Sequence, residues 1–189
     1  MDNAPKTSFL TIKAKAEGLY KDKGSRFLAF AEPVSSEDQV KERLVFYRKT
    51  YHDARHVCYA YRLSDTARSS DDGEPSGTAG KPIMGRIESA GLDNILIVVV
   101  RYFGGILLGT GGLVVAYKEA AQDALAHADI IEKEITTLRT LRFAYEQMNG
   151  IMRLLKDTET RILSQNWDGS NCEMEVEIKL KDVERFNNL

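Results

Sequence analysis

The 189-residue sequence predicts a two-domain chain of mixed α/β and α+β build: an N-terminal βα domain, then a small ferredoxin-like domain that lacks its last strand. Three observations carry this. An apolar, β-branched run, Ile95 to Val100, leads through the glycine-rich stretch GGILLGTGG into residues at helical spacing, which is the strand, loop, helix order of an α/β unit. The apolar pattern restarts near Ile135 in the order β-α-β-β-α, a ferredoxin-like unit without its final strand. A chain of 189 residues, 43% hydrophobic and 29% charged, can also bury a sizeable core without a metal or a disulfide. The expected division is 1–135 and 136–189.

Each element follows from local pattern. Leu10, Ile12, Ala14 and Ala16 alternate with polar residues, and the turn signal Lys23-Gly24-Ser25 precedes an apolar run from Phe27 to Ala31, so the two segments predict a hairpin. Pro33 ends the second strand. Ser36 and Gln39 form a capping-box signature ahead of Val40, Leu44, Tyr47 and Tyr51, which recur at helical spacing. Val57, Tyr59, Tyr61 and Leu63 alternate as a third strand. Residues 64–80 show no hydrophobic period and predict a long loop, the first place to look for a site. Pro82 then opens a short helix through Ile83, Ile87 and Ala90 that Gly91 stops. Ile95 to Val100 reads as a central strand, and Leu113, Ala116, Tyr117, Ala120 and Ala124 mark a helix. In the second domain Leu141, Phe143 and Tyr145 predict a strand, Asn149 a helix cap, and Arg161 to Trp167 a further strand. Cys172 to Leu180 alternates strictly, and a last helix starts at Val183.

Composition narrows the function. Lys+Arg 26 against Asp+Glu 28 gives a net charge of −2, so no overall field draws the chain to nucleic acid or to a membrane, and a local patch is needed instead. No apolar run approaches the roughly 18 residues of a spanning helix. The first residues, MDNAPKTSFL, lack the apolar stretch of a secretion signal. Two distant cysteines, Cys58 and Cys172, fit reduced thiols in the cytoplasm.

The chemistry-bearing residues cluster in three stretches. Gly104, Gly105, Gly109, Gly111 and Gly112 lie between a buried strand and a helix, where backbone amides and the helix dipole suit a phosphate. Neither nucleotide motif is met, since no Gly-Lys-Ser/Thr follows and Val114 stands where the dinucleotide fingerprint needs Gly or Ala. Close loop packing explains the glycines equally well. Asp71, Asp72 and Glu74 are too few and too close for a calcium loop, so no metal is expected. Their expected role is to pin the loop through Arg68, Lys81 or Arg101. Ser76 to Gly80, with Thr78 and the amides of Gly77 and Gly80, precedes a helix. His56 and Cys58 share a strand face, but apart from Asp53 no orienting group lies nearby, so a packed thiol is expected rather than a nucleophile. Phe143, Tyr145 and Trp167 are expected in the core, because Glu173, Glu175 and Glu177 would repel RNA phosphates.

These stretches resemble the IMPACT/YigZ family. The matching strings are Ser25-Arg26-Phe27, Asp53-Ala54-Arg55-His56, DDGEPSGTAGKP from Asp71 to Pro82, and VVVRYFGGILLGTGGL from Val98 to Leu113. The resemblance covers the first domain closely and the second more loosely. It implies an N-terminal domain like those of ribosomal proteins and elongation factor G, a C-terminal module similar to that factor's last domain, and a link to translation. Eukaryotic relatives restrain a kinase acting on an initiation factor and carry an extra partner-binding domain, so that role is not carried over. Val115 replaces the family's usual basic residue.

The expected function is therefore a non-catalytic, translation-associated regulator that binds RNA or the ribosome through a basic, glycine-rich patch. Arg26, Arg55, Arg68, Lys81 and Arg101 flank the matching strings and are expected to gather there with His56 and Tyr102. No cofactor, no membrane partner and no DNA sequence specificity are expected; a protein partner is allowed. The alternative is a phosphate- or nucleotide-handling enzyme that uses the glycine loop.

Overall fold

The computed structural model describes residues 6–64 and 66–187, so Asp65 and the outer ends of both expected domains lie outside the described residues. Three sheets and five helices form a mixed α/β chain among them. The elements up to the glycine loop are β1 (Ser8–Ile12), β2 (Ala16–Asp22), β3 (Ser25–Pro33), α1 (Glu37–Thr50), β4 (His56–Leu63), β5 (Thr66–Ser70), α2 (Gly80–Ser89) and β6 (Ile95–Tyr102). After it come α3 (Gly109–Ala126), β7 (Ile130–Glu134), β8 (Thr136–Ala144), α4 (Met148–Asp157), β9 (Arg161–Trp167), β10 (Asn171–Lys179) and α5 (Val183–Asn187). The described residues fall into two compact units, one of Leu10–Glu132 and one joining residues up to Phe9 with those from Lys133 onward.

The larger unit is built on an antiparallel sheet of order β2-β3-β6-β4-β5. Its central strand β6 is buried on both faces, as an unalternating apolar run requires. Strand alternation then sorts the core. Phe27, Ile97 and Val99 face α2 and α3, and Phe30, Val98 and Val100 face α1. At the start of α1, Ser36 Oγ accepts from Gln39 N at 3.2 Å. The Gln39 side chain accepts from Ser35 N at 2.8 Å, one residue before the expected reciprocal partner.

Four expectations need correction here. The alternating run 10–16 is two strands rather than one: β1 pairs with β7 and β2 with β3. Residues 66–70 are not loop but the edge strand β5, paired with β4 and largely exposed. Its TARSS sequence carries no apolar signal because an edge strand can rest on backbone hydrogen bonds alone. In the smaller unit the strand ends at Ala144, one residue before Tyr145. Asn149 does not cap α4, which starts at Met148 with Gln147 before it.

That unit carries an antiparallel sheet of order β8-β10-β9. Cys172, Met174, Val176 and Ile178 on β10 pack with Phe143, Ile151 and Leu155.

Candidate functional site

The loop after β5 is organised by one carboxylate. Asp71 accepts from Gly77 N at 2.8 Å, Ala79 N at 3.0 Å and Gly80 N at 2.8 Å, and so caps the start of α2, where no local side chain does. Burial alone would raise the Asp71 carboxyl, but these backbone N–H groups, helped by the Lys81 charge, hold it below its ordinary range. A Cβ on Gly80 would lie 2.9 Å from Ser70 N, so only glycine lets the helix start this close to the strand. The amides of Gly77 and Gly80 are thus used within the loop, and the Thr78 hydroxyl donates to Pro75 O at 2.6 Å. None of the three is free for phosphate.

Asp72 is held from α1 and β4: Arg48 donates to it at 2.9 Å and Val57 N at 2.7 Å. Glu74 is buried. Its Oε1 receives Arg101 Nη1 at 2.5 Å and Tyr117 Oη at 2.7 Å. The expectation that acids pin this loop through cations thus holds at Glu74 with Arg101, while Asp72 uses Arg48, a residue the sequence did not single out. His56 Nδ1 donates to Asp72 O at 2.7 Å, and its Nε2 lies 3.7 Å from Glu74. Cys58 lies beneath, 3.3 Å from Tyr117 Oη, and burial pushes its thiol up to about 12. A thiol this protonated is no nucleophile.

Above this floor is a cavity of about 430 Å³. Arg101 and Glu74 form its base with His56. Phe103, Leu107, Leu108 and Leu113 form apolar walls, and Arg55 and the first turn of α3 form the rim. The loops around 73–75 and 103–110 therefore adjoin. Arg101 is only 5% exposed, is flanked by the Phe27 and Phe103 rings at 5.5 and 5.6 Å, and keeps a buried Nε without a hydrogen-bond partner among the described residues. No side chain caps the start of α3, and its first turn carries no acid. Gly104, by contrast, serves packing: its Cβ would lie 2.0 Å from Gly24 C, and its N–H donates to Ser25 Oγ at 3.1 Å.

The five cations expected in one patch are divided by the sheet. Arg26 stacks on Tyr102 at 5.0 Å, and Arg68 pairs with Glu37 at 3.5 Å, both on the α1 side. Arg101 points to the opposite face, Arg55 reaches the cavity rim, and Lys81 belongs to α2 outside the cavity lining. Tyr102 donates to Asp53 at 2.8 Å and is likewise away from the cavity. Another correction concerns the smaller unit. Phe143 is buried, but Tyr145 is 71% and Trp167 45% exposed, because both lie where their strands end. A broader depression of about 700 Å³ beside Trp167 contains Asp168 and Glu173, and its one arginine, Arg142, already pairs with Glu173 at 2.6 Å. It does not suit an anion.

Residues 23–125 match the Impact N-terminal domain family. The chain belongs to the IMPACT family. It is 39% identical over 150 residues to IMPACT family member YigZ of Escherichia coli, covering 77% of this chain and 74% of that one. It is 31% identical over 183 residues to IMPACT family member YvyE of Bacillus subtilis, covering 95% and 84%. A crystal structure of a hypothetical protein, 34% identical, aligns with a TM-score of 0.77 over 96% of this chain and 90% of its own.

Every residue lining the cavity falls inside the matched IMPACT segment. Sequence reasoning missed Tyr117, Phe103, Leu107 and Thr110. Tyr117 carried a signal, since a tyrosine on the apolar stripe of a helix needs a partner for its hydroxyl. Phe103 and Leu107 carried a weaker one, as large apolar residues inside a glycine loop.

Proposed function

We propose that this IMPACT-family chain is a non-catalytic, translation-associated regulatory protein that binds RNA or the ribosome through the rim of the cavity. One observation supports the site: Arg101, Arg55, whose guanidinium has no partner among the described residues, and the uncapped start of α3 converge on one opening. Cations and backbone amides are the groups that position phosphates. The tie to translation rests on the family resemblance. The reading also treats residues 136–189 as a ferredoxin-like domain without its last strand, similar to the last domain of elongation factor G, with the boundary near 135. The β8-β10-β9 order supports that placement. It assigns the chain to the cytoplasm without a cofactor, and no described helix is long and apolar enough to cross a membrane.

The test is titration of a labelled single-stranded RNA at several salt concentrations. Arg55→Glu should weaken binding and flatten the salt slope by about 0.7, the value of one phosphate contact on a single strand. An unchanged affinity and slope would remove the site. Arg101 is unsuitable for this test, because reversing its charge would bury two carboxylates together. The second reading, a phosphate- or nucleotide-handling enzyme, is favoured by the small-molecule size of the cavity. Turnover of a nucleotide or phosphate ester that is lost in Arg55→Glu would establish it over the first.

A further inference from the structure

The cavity has two unlike halves, and its occupant must match both. One half is electrostatic. Arg101 lines the cavity floor almost fully buried, with one N–H given to Glu74 and an Nε left without a partner. Buried polar groups are nearly always satisfied, so a guanidinium that lines a cavity and gives only one hydrogen bond to the described residues has donors left for an acceptor there. Among the described residues no hydrogen bond or ion pair engages the Arg55 guanidinium at the rim. Beside it α3 begins with Gly109, Thr110, Gly111 and Gly112, without a capping side chain or an acid. Gly111 stands in open space with ordinary helical φ, so no packing demand explains a residue that weakens the helix. Its lack of a side chain does leave the amides open to a ligand.

The other half is apolar. Phe103, Leu107 and Leu108 form one wall, and Phe103 and Leu107 are 46% and 80% exposed. A bare phosphate would leave this wall wet, and a purely apolar ligand would leave the arginines unanswered. Charge sets the ligand more closely. With Glu74 offsetting one of the two guanidinium charges, the site keeps about one and a half positive charges once the half charge of the helix start is included. A phosphate monoester carries about −1.5 to −2, more than the single charge of a phosphodiester.

We propose that this cavity binds one nucleotide by its terminal phosphate monoester, with the phosphate at the start of α3 between Arg55 and Arg101 and the base against Phe103 and Leu107. The proposal rests on the RNA-binding reading and narrows it: the site takes a single nucleotide bearing a phosphate end, not a run of backbone. The ligand is either a free mononucleotide or the phosphorylated end of an RNA, since both present the same chemistry.

The experiment is calorimetric titration of the full chain with AMP, adenosine, inorganic phosphate and a short RNA carrying either a 5′-phosphate or a 5′-hydroxyl. AMP should bind at least tenfold more tightly than adenosine or phosphate, because each of those engages half the site. Arg55→Ala, on an exposed residue, should weaken AMP by about tenfold or more, the usual loss for a hydrogen bond to a charged group, and Thr110→Asp, also on an exposed residue, should weaken it by setting a carboxylate against the phosphate. Phe103→Ala should weaken AMP while leaving inorganic phosphate unchanged. A preference for the 5′-phosphate RNA over the hydroxyl form identifies an RNA end as the ligand, and AMP binding without that preference identifies a free nucleotide; either result supports the site. Absence of saturable AMP binding up to about 1 mM, or equal affinity for AMP and inorganic phosphate, overturns it. If AMP fails while both RNAs bind equally, the nucleotide site falls and the RNA reading stands. If AMP binds and neither RNA does, the reverse holds.

Discussion

On the α1 face of the five-stranded sheet, Glu32 receives Arg43 Nε and Nη2 at 2.5 and 2.8 Å and Tyr47 Oη at 2.5 Å. On the α2/α3 face, Glu74 receives Arg101 Nη1 at 2.5 Å and Tyr117 Oη at 2.7 Å. Both clusters are a carboxylate, an arginine and a tyrosine. In the first, the guanidinium is bidentate and the cluster is closed, so Arg43, Tyr47 and Glu32 hold α1 on the sheet. In the second, the guanidinium grips with one nitrogen, and the carboxylate comes from a loop rather than a strand. That grip leaves Arg101 incomplete at the floor of a cavity. The same three side-chain types can thus brace a fold or prepare a site, and the difference lies in how many of their hydrogen bonds are already made.

The largest expected effect tests this contrast. Glu74→Ala should cost about 3–5 kcal/mol in urea denaturation, because it strands a buried arginine whose side chain is only 6% exposed. Glu32→Ala should cost about 1–2 kcal/mol, since the Arg43 side chain, 31% exposed, regains water when its partner is removed. Equal losses would show that the two clusters play the same structural role.

Next comes Cys58. With its thiol raised from 9.0 to about 12 by burial, foremost, and by the nearby Glu74, Asp72 and Asp71 carboxylates, its thiolate fraction near neutral pH falls about a thousandfold. Alkylation by iodoacetamide in the folded protein should be slower than in denaturant by at least that factor, read by mass spectrometry. Rapid labelling of the native chain would mean that the floor of the cavity opens.

The smallest effect is at Asp71. Its carboxyl titrates below the ordinary value of 3.8 when folded, so its contribution is complete above about pH 4 and is lost as the pH falls through the folded value. Asp71→Asn should cost about 1 kcal/mol at neutral pH. It should also flatten the acid limb of a stability profile. An acid limb identical in slope to that of the natural chain would show that the loop is held by something other than this carboxylate.

Much of this fold is legible in the residues. Ser36 and Gln39 announce α1, the unbroken run Ile95 to Val100 announces a central strand, and the alternation from Cys172 onward announces β10, because each of these is a local pattern with a local cause. β5 is not legible, since Thr66–Ser70 is held by backbone pairing to β4 and buries little. Nor are the exposed Tyr145 and Trp167, whose burial depends on where a sheet ends rather than on what they are.

For the candidate site, the ingredients are written locally: an acidic loop, a glycine-rich loop leading into a helix, and an arginine at the end of a buried strand. Which of them meet is set in three dimensions. Strand pairing aligns Arg26 with Tyr102 on one face of the sheet and Phe27 with Arg101 on the other, so cations that are near neighbours in the matching strings are parted by the thickness of the sheet. The same alternation brings Glu74, Tyr117 and Arg101, far apart along the chain, to one buried point. The period of a strand is written in the chain, but the partner across it is set by register, and register is settled only when both faces of the sheet are packed.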